Sequence, residues 1–326
     1  MKKHDGFVVI LTLAALVWIV VAYFSPIWWV SLTAPNYPKD AFPDGIRIHF
    51  HFDRVANGCK AAAVGTQMAD EIIQGDLSHE TERWNPILDP QKKNIDKDAK
   101  GLDCVHEMNT INHYVGMFPI ETGAPVEQPL AKYFFGFFAV MLAAFVLPRR
   151  RSRIALLIVG FLAVAVWMFV DQFMLGKLDA QVQRYVQAAG TFFKEPDRIA
   201  GWGENVRLIS EIAMFGLIAS MVIVVVGVAK LRQFQLVLPL VPAMLPVFFL
   251  ITYAGWLWHF GHNLHSWAAF TVKPFMPTVF GEGKVAQFST YSYPAWGYGL
   301  LMLVFVCLGL ALLIRRKQLR EEPDRE

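Results

Sequence analysis

The chain lacks the motifs of several common chemistries. It has no CxxC pair for thiol redox work, no CxxCH for covalent haem, no GxxxxGK[ST] phosphate loop and no GxSxG nucleophile elbow. These absences argue against nucleotide-driven transport and hydrolase activity. No two apolar segments carry the mid-bilayer histidines that would sandwich haem. Charge is sparse at 17%, and the net charge of +3 comes from basic residues flanking apolar runs. There is no basic patch of the kind that binds nucleic acid. Only three of the 326 residues are cysteine.

Apolar residues dominate instead, at 55%, with a mean hydropathy of +0.38. Residues 7–24, 154–170, 212–229, 234–258 and 296–314 are uncharged runs near the roughly 20 residues needed to cross a bilayer. A sixth, 133–148, is shorter and bounded by Lys132 and Arg149. Lys2 and Lys3 precede the first run as in a signal peptide. Its core is too long for one, however, and SPIWWVSL offers no small-x-small cleavage site, so a retained helix is expected.

If six helices cross in turn, Lys2, Lys3, the cluster Arg149, Arg150, Arg151 and Arg153, the pair Lys230 and Arg232, and the tail Arg315, Arg316, Lys317 and Arg320 share one side. The positive-inside rule makes that side cytoplasmic. The expected fold is an all-α integral membrane protein, a six-transmembrane-helix bundle with both termini inside. A small α+β extracytoplasmic domain is inserted between the first and second helices. Its parts are residues 1–30 (first helix), 31–131 (periplasmic domain) and 132–326 (five-helix membrane domain), with outer loops at 175–206 and 259–295. The expected location is a bacterial inner membrane.

Within the outer segments, IRIHFHFDRV alternates strictly and predicts a strand, with Ile46, Ile48, Phe50 and Phe52 on one face and Arg47, His49, His51 and Asp53 on the other. Residues 61–77 predict a helix, 86–101 a charged loop, and 178–193 a further helix. Pro239, Pro242 and Pro246 must break or kink the fifth run. Cys59 and Cys104 can pair as a disulfide or serve as thiolate ligands, whereas Cys307 lies in the last helix.

Eight of the nine histidines fall in or beside the outer loops. Histidine, with methionine and carboxylate, suits transition metals. On a helix through CVHEMNTINHYVGM, His106, His113 and Met117 form one stripe, with Glu107 and Met108 beside it. Two turns separate His106 from His113, about 10 Å, so one ion cannot take both from a straight helix unless the segment bends near Gly116. His259, His262 and His265 follow the fifth run, and two of the three can approach one ion. Asp171 and Glu211 flank the third and fourth runs near the same face and can complete a site or pass protons. For each cluster the competing reading is ordinary: a capped helix with satisfied polar side chains, an interfacial belt beside Trp256, Trp258 and Trp267, or carboxylates at headgroup level. His49, His51 and His79 read as surface residues.

The pairing of APNYP with Glu107, Asn109, Asn112, His113, Tyr114, Val115, Gly116 and Met117, an ExNxxNHYVGM phrase, resembles a group of bacterial polytopic membrane proteins associated with copper handling and nitrous-oxide-reductase accessory systems. The resemblance covers about the first 150 residues. It departs in an insertion of about 50 residues containing Cys59 and His79. It implies His113 and Met117, with His106, Glu107 and Met108, as copper ligands, whereas His259, His262 and His265 rest on their chemistry alone.

The expected function is copper binding at the periplasmic face, for delivery, uptake or cuproenzyme maturation. The lipid bilayer and a periplasmic cuproenzyme or copper carrier are the expected partners. Two alternatives stand beside it: a membrane subunit of a redox complex using metal, haem or quinone, and a structural subunit that docks a periplasmic partner.

Overall fold

The computed structural model describes residues 3–35, 37, 39, 42–59, 103–269, 271–285 and 287–321. The helix expected at 61–77, the charged loop at 86–101 and His79 lie outside the described residues.

The membrane part consists of α1 (Lys3–Phe24), α3 (Glu127–Val146), α4 (Arg150–Phe169), α6 (Pro196–Lys230), α7 (Val237–Ala243), α8 (Leu245–His262) and α9 (Trp296–Glu321). Five helices are long and apolar enough to cross a membrane. A sixth span results if α7 and α8, bent by 51°, count as one. The outer faces are as apolar as the core: Ile10 (64% exposed), Leu162 (63%) and Phe215 (64%) face outward, while Met141, Leu157, Leu301 and Leu308 are fully buried. Such all-round hydrophobicity fits a lipid surrounding, since water would leave those faces uncompensated.

The prolines break the fifth run as expected. Pro242 lies inside α7 and Pro246 in the first turn of α8, where the missing N–H of proline interrupts the helical ladder. α7 packs on α3 and α9, and α8 leaves at the bend. The predicted helix at 178–193 is present as α5 (Lys177–Phe192), joined to α4 by a π-turn over Val170–Met174.

A five-stranded antiparallel sheet covers one end of the bundle. It comprises β1 (Trp28–Thr33), β2 (Ile46–Phe50), β3 (Val55–Asn57), β4 (Gly281–Val285) and β5 (Phe288–Pro294), in the order β3-β2-β1-β5-β4. The predicted alternation in β2 holds, with Ile46, Ile48 and Phe50 buried. The sheet differs from the expected inserted domain in drawing two strands from the segment between α8 and α9. β1 pairs with β2 on one side and β5 on the other, Trp28 opposite both Phe50 and Pro294. Ser292 locks this arrangement: its hydroxyl donates to Val279 O (2.7 Å) and accepts from Trp28 Nε1 (2.8 Å) and the Tyr253 hydroxyl (3.2 Å). The buried face of β2 packs with Met108 and Ile111 of α2 (Cys104–Val115) and with Tyr253 and Leu257 of α8. Cys59 and Cys104 form a disulfide, which settles the earlier alternatives in favour of a covalent tie between the sheet and α2.

At the opposite end, Arg150 donates to Val228 O (3.3 Å) and Ala229 O (2.7 Å). Buried Arg153 donates to Gln235 Oε1 (2.6 Å) and Leu147 O (2.8 Å). The basic clusters of the sequence therefore meet away from the sheet.

Candidate functional site

The histidine segments are assembled by α2 and its caps. Asp103 caps the N-terminus, accepting from the amides of Val105 (3.0 Å) and His106 (3.2 Å). The helix ends at Val115 because Gly116 turns left-handed, φ 81°, and the Met117 amide donates to Asn112 O at 2.7 Å. Met117 thus leaves the expected stripe and is buried with Val115, Phe118 and Phe260. Asn109 ties α2 to the turn Ile120–Thr122, donating to Glu121 Oε2 (3.1 Å) and accepting from the Glu121 amide (3.2 Å). The two halves of the motif also meet, since the Tyr37 hydroxyl of APNYP donates to Glu107 Oε2 at 3.2 Å. Burial and Glu107 push the Tyr37 phenol up to about 12.

The two histidine clusters each bring one member to the same phenylalanine, Phe193. The loop after α8 crosses Gly116, with the His265 amide donating to Gly116 O (2.8 Å) and the Ala269 amide to Tyr114 O (3.0 Å). The His265 ring is buried, stacked on Phe193 with centroids 3.7 Å apart; His113 meets the same phenylalanine at 5.5 Å. Nδ1 of His265 lies 3.3 Å from Glu195 Oε2, off the angle of a hydrogen bond, so the contact is electrostatic. Burial lowers the affinity of His265 for a proton, and Arg198 adds to this while Glu195 opposes it. The Ser266 hydroxyl, donating to Glu195 at 2.8 Å, holds that carboxyl below its ordinary range.

The other candidates do not join them. His106 is exposed and Met108 is buried under the sheet. His262 stacks on Trp258 and places Nδ1 2.8 Å from Trp258 O, a geometry in which the ring must donate. His259 meets the Asn263 amide at 3.2 Å. Asp171 is enclosed by Lys132, Lys177 (3.0 Å) and the Tyr133 hydroxyl (2.9 Å), which occupy both its oxygens. Glu211 is half-buried on α6, in no ion pair among the described residues. Among the described residues no three His, Cys, Asp or Glu side chains are placed to hold a metal ion.

One concavity lies where the motifs did not indicate. A cavity of about 560 Å³ runs from the sheet into the bundle between α3, α6, α7 and α8. Its walls are aromatic, including Phe134, Phe138, Phe248, Phe249, Tyr253 and Trp256. α7 and α8, bent by 51° at their junction, both line it, and exposed Gly216, Ser220 and Phe248 form its mouth. At the sheet end Trp256 Nε1 donates to Glu127 Oε2 (2.8 Å), and His51 lines the rim. The volume and the few convergent polar groups are those of a small-molecule site, typically about 300–1,000 Å³. In the sequence, the clustered phenylalanines at 134–138 and 248–249 were the available signal.

Comparison with family models, curated proteins and solved structures returned no match.

Proposed function

We propose that the chain is a multi-pass protein of a bacterial inner membrane that binds a bilayer-soluble, chain-bearing ligand in the aromatic cavity. The observation that carries this reading is the cavity itself: an aromatic chamber walled by membrane-length helices, with exposed Gly216, Ser220 and Phe248 at its mouth and Glu127 and His51 at its sheet end. The basic residues gathered opposite the sheet support a cytoplasmic position for that end. The disulfide supports an oxidising compartment for the sheet. The reading keeps the bilayer as the source of the ligand and falls nearest to the membrane-subunit alternative.

Solvent extraction of the purified protein, followed by mass spectrometry, tests it. A Cβ at Gly216 meets nothing within 4 Å, so Gly216→Trp fills the mouth without a backbone clash. Wild type is expected to carry a defined lipid-soluble molecule in near-stoichiometric amount, and Gly216→Trp to lose it. Equal extracts from the two would defeat the proposal.

Copper handling is the second reading, favoured by one observation: the loop that carries His265 is bonded to the helix that carries His113, with Glu195 beside them. It requires further ligands to move into place when the ion arrives. Metal analysis of the purified protein, with His113→Ala and His265→Ala as comparators, decides it. Copper at background level, unchanged by either substitution, would end this reading.

A further inference from the structure

The aromatic cavity is built from two helix faces. On α3, Glu127, Ala131, Phe134 and Phe138 recur at helical spacing and all line it; on α8, Phe249, Tyr253, Trp256 and Phe260 do the same. Along the second face the rings are paired, Phe249 with Tyr253 (centroids 5.8 Å apart) and Trp256 with Phe260 (5.7 Å). The two faces meet where Trp256 Nε1 donates to Glu127 Oε2 (2.8 Å).

Charge on this lining is of one sign. Among the described residues that form it, Glu127 is the one acid and there is no lysine or arginine. Glu127 is half-buried and in no ion pair among the described residues. Its Oε1 bonds to no other residue there, yet it keeps accessible surface on the cavity side. His51, on the rim, brings no positive charge at neutral pH, because burial and then Arg54 lower its affinity for a proton. The Tyr253 hydroxyl is engaged by Ser292 (3.2 Å). A carboxylate among apolar groups is costly until a cation or a proton balances it. The wall supplies no cation, so charge balance is left to what enters.

We infer that the ligand of the aromatic cavity is a lipophilic cation, its charged head against Glu127 and Trp256 and its apolar part among Phe134, Phe138 and Phe249. The inference rests on the apolar-ligand reading above and adds the sign of the head's charge. An anionic head, such as that of a fatty acid or a phosphodiester, would meet the carboxylate with no counter-charge on the wall. A neutral hydroxyl satisfies Oε1 as a hydrogen bond but not as a charge. A cation balances the carboxylate and is also drawn to the faces of the surrounding rings.

The test is equilibrium binding to the full chain in lipid nanodiscs of three probes that share one chain and differ in head charge: decyltrimethylammonium, decanol and decanoate. Gly216→Trp nanodiscs measure the part of each signal that is partition into the bilayer. Wild type is expected to bind the ammonium about tenfold more tightly than the alcohol, and the carboxylate least. Glu127→Gln keeps the side-chain shape and an acceptor for Trp256. It is expected to remove the preference for the ammonium while leaving decanol binding unchanged, which also shows that the cavity is intact. The order of the three probes in wild type needs no variant and decides the matter where Glu127→Gln fails to fold. Equal binding of ammonium and alcohol, preference for decanoate, or a preference for the ammonium that survives in folded Glu127→Gln would overturn the charge inference. The apolar reading would stand in each case provided Gly216→Trp still lowers decanol binding. No difference between wild type and Gly216→Trp for any probe would overturn both.

Discussion

The amide of His265 donates to the carbonyl of Gly116 at 2.8 Å, which binds the loop after α8 to the C-terminus of α2. With the Ala269 amide bonded to Tyr114 O, it joins two segments about 150 residues apart beside the stacked rings of Phe193 and His265.

Gly116→Ala is therefore expected to be destabilising for two reasons. Its φ of 81° is unfavourable to a side chain, and a Cβ would sit 2.9 Å from His265 O. Gly176 has φ 65° but nothing within 4 Å of a Cβ, so Gly176→Ala isolates the backbone term. Thermal melting should show a loss of about 1 kcal/mol at Gly176 and about 2–3 kcal/mol at Gly116. Equal losses would show that the contact with His265 adds nothing.

The covering end should weaken in acid. Burial disfavours the charged form of His265, so its folded pKa lies below the ordinary value of about 6.5 and the unfolded chain binds more protons as pH falls through that value. Stability is fully present above about pH 6.5 and declines below it. Glu195, held low by Ser266, is lost in the same direction at lower pH still. Hydrogen exchange at 114–117 and 263–269 between pH 7.5 and 5.5 should speed up in wild type and much less in His265→Phe. A pH-independent rate, after correction for intrinsic exchange, would contradict this.

Asp171 should behave as an anchor for lysines. Asp171→Asn leaves Lys132 without its carboxylate and is expected to lose on the order of 2 kcal/mol, discounted because the Lys132 side chain is 29% exposed. Lys132→Met with Asp171→Asn should lose less than the sum of the two single changes. A strictly additive double-mutant cycle would show that the pair is not coupled.

Reduction of the Cys59–Cys104 disulfide, or Cys59→Ser with Cys104→Ser, removes a tie across a sequence separation of 45 residues. A loss of about 2–4 kcal/mol is expected, read as a lower melting temperature in detergent. An unchanged temperature would show that the sheet and the caps of α2 suffice without the bond.

The bundle was legible because bilayer-length apolar runs and proline breaks are local properties, as is the period-two alternation that announced β2. The sheet was only half legible. Trp28–Thr33 shows no clean alternation, and β4 and β5 come from a segment more than 200 residues away, so their pairing is a tertiary choice. The ExNxxNHYVGM phrase was visible as a motif, but the Asn109 side chain ties the helix to the next turn and the Asn112 carbonyl and Gly116 close the helix end, work that the sequence does not separate from ligation. The phenylalanines at 134–138 and 248–249 were visible in the sequence, but that they wall one cavity was not, because periodicity does not report which helices part.

The most direct measurement is an experimental structure of the protein in lipid nanodiscs. Elongated density from the Glu127–Trp256 end towards Phe138, lost in Gly216→Trp, is the predicted result. A chamber closed by α8 packing against α6, or one holding only water in the wild type, would contradict the account.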